Sequence, residues 1–259
     1  MHILDWRDPS ITCGSLGNIA SHALATEFIR DVLCHDVGVL ISGWHSRVWD
    51  LCVPQDRILT EVISGDTVHV CKSHRSEHLA GNMTWVGASV HDAGYAMPAD
   101  HLLSPRTCWL HDPDARTVLL YPREYDNKNR TFTLDYWIAV SKSLRERGWR
   151  IAAMLDSDPS HRDGEISLAW CRDYVAAVSP DYTFRPTVNG LQAAVGMSSL
   201  AIGRGNGPAW LMLKSTIPQV VLDDPSEKYP DQSATANMPR VAKQMRVITG
   251  TTMDWISEL

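Results

Sequence analysis

The chain has 259 residues, 44% of them hydrophobic and 21% charged, with a net charge of −6. This supports a full core in one large or two moderate domains and argues against broad electrostatic binding to nucleic acid. No apolar run approaches the ~20 residues of a membrane span, and MHILDWRDPS lacks the basic start and apolar stretch of a signal peptide. A soluble cytoplasmic protein is therefore expected, with peripheral membrane contact at most.

Ile3 to Trp6 predicts a first strand, and Arg7 to Gly17 a loop broken by Pro9, Gly14 and Gly17. Asn18 is the expected N-cap of a helix over Ile19 to Leu33. Val37 to Ser42 then completes a βαβ unit. A short helix is expected from Trp44 to Leu51, and short strands over Arg57 to Ile63, Thr67 to Cys71 and Met83 to Val86. His74 and His78 stand at helical spacing, but no third ligand accompanies them, so no metal site is expected. None of the six cysteines forms a C-x-x-C pair, which points to reduced thiols filling the core.

A boundary is expected near His111 to Arg116. Beyond it Thr117 to Tyr121 predicts a buried strand, and Pro122 to Arg130 a charged loop carrying Lys128 and Arg130. Thr133 resembles an N-cap for a helix from Leu134 to Arg147 that Gly148 ends. Trp149 to Leu155 predicts another strand, Ile166 to Tyr174 a helix, Val175 to Val178 a short strand and Asn189 to Gly196 a helix.

The most distinctive stretch follows. Leu200 to Ile202 predicts a strand; Gly203, Gly205, Gly207 and Pro208 fall within the next six residues, around Arg204 and Asn206; Ala209 to Lys214 has a helical pattern and Val220 to Leu222 a strand pattern. Strand, glycine-rich loop and helix start put bare N–H groups where a helix dipole favours an anion. This reads as a phosphate site, against the alternative of an ordinary tight turn. Val241 to Leu259 is expected to be a closing helical tail, as one helix or two interrupted by Gly250. The whole predicts an α/β protein of two Rossmann-like lobes with a cleft between them: residues 1–112 on the acceptor side, 113–240 binding the donor, and a tail over 241–259.

Three segments carry a resemblance. GSLGNIASHALATEFIRDVL (14–33), VLLYPREYDNKNRTFTLDYWIAVSKSLRERGWRI (118–151) and NGLQAAVGMSSLAIGRGNGPAWLMLKSTIPQVVL (189–222) resemble, in order, the first glycine loop and helix, the Lys/Arg-bearing loop and helix, and the G-N-D-S-G-P loop of the ADP-heptose–lipopolysaccharide heptosyltransferases. These form glycosyltransferase family nine and have the GT-B fold. The resemblance covers roughly half of the chain. It implies metal-independent, inverting transfer of a sugar from a nucleotide-diphosphate donor, with no further cofactor.

GT-B enzymes stabilise the leaving diphosphate with helix N-termini and cations. Lys128, Arg130, Arg204, Gly205, Asn206 and Gly207 are the candidate donor-binding residues, and Gly14 and Gly17 form the acceptor-side loop. Asn18 stands where the family has its general base, and an amide cannot take the acceptor's proton. Asp8 is the candidate base instead, with Asp5 as a second; Asn18 would position the acceptor. Gly205 and Trp210 replace the family's Asp and His. Asp223 and Asp224 can contact a sugar hydroxyl or form a turn. The acceptor is open between a lipopolysaccharide-type glycan and a hydroxymethylated DNA base of the phage type. Two rival readings remain: a non-catalytic nucleotide-sugar binder, and a Rossmann-type epimerase.

Overall fold

Two parallel sheets, each fed by helices, organise the chain in the computed structural model, which describes residues 1–7, 16–42, 46–62, 65–71, 85–98, 104–122, 132–155, 168–205, 207–223 and 244–259. The first half contains β1 (His2–Asp5), α1 (Leu16–Asp31), β2 (Val37–Leu40), α2 (Ser46–Cys52), β3 (Ile58–Leu59), β4 (Thr67–Val70) and α3 (Trp85–Asp92). Its strands lie in the order β3-β2-β1-β4, all parallel. The second half contains β5 (Thr117–Tyr121), α4 (Leu134–Glu146), β6 (Arg150–Met154), α5 (Leu168–Val178), β7 (Tyr182–Phe184), α6 (Val188–Gly196), β8 (Leu200–Arg204), α7 (Gly207–Leu211), β9 (Gln219–Asp223) and β10 (Met245–Thr249). Here the order is β10-β9-β8-β5-β6-β7, again parallel throughout.

Both orders reverse direction once. In the first sheet the chain steps β1 to β2 to β3 on one side, and β4 lies on the other. In the second it steps β5 to β6 to β7, then returns to β8, β9 and β10. Loops that leave the carboxyl ends of neighbouring strands at such a reversal diverge, and ligands bind between them. The reversals fall at β1/β4 and at β5/β8.

The central strands of the second sheet, β5, β8 and β9, are buried on both faces, as parallel sheets are. Side chains alternate along each strand. Val118, Leu120, Ile151, Ala153, Ile202 and Leu222 face a core shared with Trp137, Val140 and Tyr174. Leu119, Tyr121, Ala152, Met154, Ala201 and Val221 face a second core, which runs without a break into Leu4, Val39 and the α1 residues Ala20, Ala23 and Leu24. The two sheets therefore share one apolar interior.

Several expectations are corrected. The tail expected to be helical contributes β10 and a 3-10 turn at Asp254–Glu258; Val247, Ile248 and Thr249 are β-branched, and the open edge of β9 gives them a parallel partner. Residues 175–178, expected as a strand, continue α5. Trp85 and Val86, placed in a strand, begin α3. The edge strand β7 was not anticipated, because only Tyr182 and Phe184 mark it. Asn18 lies inside the first turn of α1 rather than at its cap, since the helix begins at Leu16. By contrast Thr133 does cap α4, its hydroxyl accepting the Tyr136 N–H at 3.3 Å. Gly148 ends that helix with φ of +82°, a left-handed conformation that favours glycine. His74 and His78 lie outside the described residues.

Candidate functional site

The carboxyl ends of the two sheets meet where α1 and α7 begin. Gly207 opens α7, and a methyl group placed on it would stand 2.9 Å from the Gly17 amide nitrogen and 3.0 Å from Leu16 Cβ. A side chain at position 207 would press on the start of α1. Two of the glycine positions named from the sequence, one in each half of the chain, are thus brought into contact. The first-turn N–H groups of a helix such as α1 have no partners within the helix itself, and its dipole gives that end positive potential.

Gly203 is needed for a different reason. It pairs with Tyr121 across β8 and β5, and the Tyr121 ring lies flat on it: a Cβ at Gly203 would fall 2.1 Å from ring carbon Cδ2. Tyr121 is fully buried, and burial pushes its phenol up from the ordinary range.

Arg204 points to the opposite face of the sheet from Tyr121. Its guanidinium stacks 4.6 Å above the Phe132 ring, and the residue is buried. Phe132 follows the segment carrying Lys128 and Arg130 in the sequence. Asp8, Gly14, Lys128, Arg130, Asn206 and Asp224 lie outside the described residues, as does the side chain of Asn18. Trp210, at the family's His position, is buried in the core shared by the two sheets.

At the end of β1, Asp5 is held by Arg7. The guanidinium donates to both carboxylate oxygens at 2.7 and 2.8 Å, and the Arg7 N–H adds a third bond at 3.1 Å. These contacts hold the Asp5 carboxyl below the usual carboxylate range. A carboxylate so engaged is a weaker base than a free one, which counts against Asp5 as the proton acceptor. It presents Arg7, half-exposed, at the start of the loop leading to α1. The reading of the sequence missed Arg7; the Asp-x-Arg spacing at a strand end was its only signal.

A second missed pair ties the halves together. Lys214, in the 3-10 turn Met212–Lys214 after α7, is fully buried and donates to both oxygens of Glu27 on α1, at 2.7 and 2.9 Å. An apolar pattern hides a partner 187 residues away.

A cavity of about 700 Å³ lies beside the ends of β6 and β7. Leu155, Phe184 and Val175 give it an apolar lining, and Arg172 and Arg185 stand at it.

No family model and no curated protein matches the chain. Its likeness to solved structures is extensive. A glycosyl transferase family 9 protein from Veillonella parvula aligns over 99% of this chain and 87% of its own, with a TM-score of 0.58 at 12% identity. The chain has the GT-B fold of the family-nine heptosyltransferases. E. coli ADP-heptose LPS heptosyltransferase II shares this GT-B fold over 96% of this chain and 90% of its own, with a TM-score of 0.57 at 13% identity. E. coli heptosyltransferase WaaC, solved with ADP, does so over 96% and 93%, with a TM-score of 0.58 at 10% identity. The GT-B assignment accounts for the two parallel sheets and for the single reversal in each.

Proposed function

We propose that the protein is a glycosyltransferase that moves a sugar from a nucleotide-diphosphate donor to an acceptor hydroxyl. The observation that carries this is the contact of Gly17 and Gly207 at the carboxyl edges of both sheets, in a chain with the fold of the heptosyltransferases. In this reading the diphosphate lies against the α1 N-terminus and the Gly205–Gly207 turn, and Lys128 and Arg130 supply the cations from the adjacent loop. Fixed donors of this kind stabilise a leaving group without reorganising. Arg204, stacked on Phe132, is a further candidate cation for the diphosphate. The nucleoside half of the donor extends along the sheet towards the ends of β6 and β7, where doubly wound folds hold a ribose and base; the cavity there has room for it.

Asp8 is the proposed base and Asn18 positions the acceptor, giving inverting transfer without a metal. The acceptor is a lipopolysaccharide-type glycan; the net charge of −6 disfavours a DNA acceptor. Two of the structural neighbours are described with ADP or ADP-heptose, so ADP-sugars are the first donors to try.

A panel of nucleotide sugars, scored by thermal shift and then by release of nucleoside diphosphate with core-glycan and hydroxymethylated-DNA acceptors, tests the proposal. At least one donor is expected to raise the melting temperature, and the same donor to be turned over with the glycan. No shift with any donor rejects the assignment. Turnover on DNA alone replaces the acceptor. Binding without turnover favours the rival reading, a nucleotide-sugar binder, which Asn18 at the base position and the engagement of Asp5 by Arg7 both support.

A further inference from the structure

We propose that the buried Glu27–Lys214 pair is a positioning device that sets how α1 and residues 207–214 lie side by side, and through them the spacing of the two glycine turns. The inference rests on those turns being the diphosphate site. The pair is shut off from water, with side-chain exposures of 0% for Lys214 and 4% for Glu27. Glu27 Oε1 also accepts the Arg106 N–H at 2.8 Å, and the Lys214 carbonyl accepts the N–H groups of Cys108 and Trp109, both at 2.9 Å. Three segments thus converge: α1 of the first sheet, the crossing segment 106–109, and the turn after α7 of the second sheet.

Stability alone does not explain a charged pair here. Desolvating two ions costs more than burying apolar groups of the same size, so apolar replacements of such pairs are often neutral or stabilising. What the ions add is direction. The ammonium must meet two carboxylate oxygens in a set geometry, whereas apolar side chains slide. The location matters as much. Glu27 lies ten residues along α1 from Gly17, about 15 Å at the helical rise. Gly17 meets Gly207, and Glu27 meets Lys214, so the two segments run in the same direction with a contact at each end. Two separated contacts determine both the distance and the angle between them. With the far ends tied, the α1 N-terminus cannot rotate away from the Gly205–Gly207 turn.

The test compares wild type, Glu27→Gln and the apolar double variant E27L/K214M. Melting temperature, amide hydrogen exchange and ADP binding by calorimetry are measured on the full chain. The double variant is expected to melt near wild type, to exchange faster at 16–20 and 207–211, and to bind ADP roughly tenfold more weakly, within the usual range of coupling between sites. Wild-type exchange at those turns and wild-type ADP affinity in the double variant would overturn the proposal. Should the double variant not fold, Glu27→Gln decides by the same two readouts: faster exchange at the turns supports the device, and unchanged exchange rejects it. If wild type binds no nucleoside diphosphate, the transferase reading fails, and the exchange data alone judge whether the pair sets the junction.

Discussion

Asp5 and Arg7 show how one contact governs a local charge. The guanidinium binds both carboxylate oxygens, so Asp5 is harder to protonate in the folded chain than in the unfolded one. Its stabilising contribution is present above the unfolded carboxyl pKa of about 3.9 and is lost as pH falls through the lower folded value. Arg7 is half-exposed, so solvent screening holds the effect below about 1 kcal/mol. Arg7→Ala should therefore be slightly less stable than wild type at pH 7, and the gap should close as pH drops below about 4. Urea titrations at pH 7, 5 and 3 measure this; a gap that widens towards acid would contradict the assigned contact.

At the scale of elements, β5 and β8 pair through a glycine that the aromatic ring opposite requires. Tyr121 and Gly203 are partners in the ladder, and the ring occupies the space a side chain at 203 would take. Gly203→Ala must displace either the ring or the strand, an overpacking cost of about 1–3 kcal/mol. The urea midpoint should fall accordingly. Removing the ring in the double variant G203A/Y121A should recover part of that loss relative to Y121A alone, because the two sites couple directly. Equal losses from Gly203→Ala in both backgrounds would show that the ring is not the obstacle.

At the scale of the whole molecule, the apolar interior does not stop at the boundary between the sheets. The cluster that holds Leu4, Val39 and Ala23 also holds Trp109, Leu119, Leu213 and Val221. A small, polar surface between domains would let each half melt alone. A shared core with a buried ion pair at its seam predicts a single cooperative transition instead. Scanning calorimetry should give one peak whose calorimetric and van't Hoff enthalpies agree. Two resolved peaks would show that the sheets unfold independently.

Much of this architecture was open to inspection in the linear chain. The alternation of apolar runs with glycine-ended helical patterns predicted the α/β class and most strands, because periodicity and turn chemistry act over a few residues: Thr133 caps α4 and Gly148 closes it for reasons local to each. Gly17 and Gly207 could likewise be singled out, since glycine at a helix start leaves backbone N–H groups bare. Tertiary structure alone decided the rest. Residues 245–249 became a strand because β9 offered an open edge, overriding a weak helical pattern. Arg204 turned to Phe132 because strand alternation put it on the far face from Tyr121. That Gly17 meets Gly207, and that Glu27 finds Lys214, depends on how two sheets dock, and no spacing in the sequence encodes a contact across 187 residues.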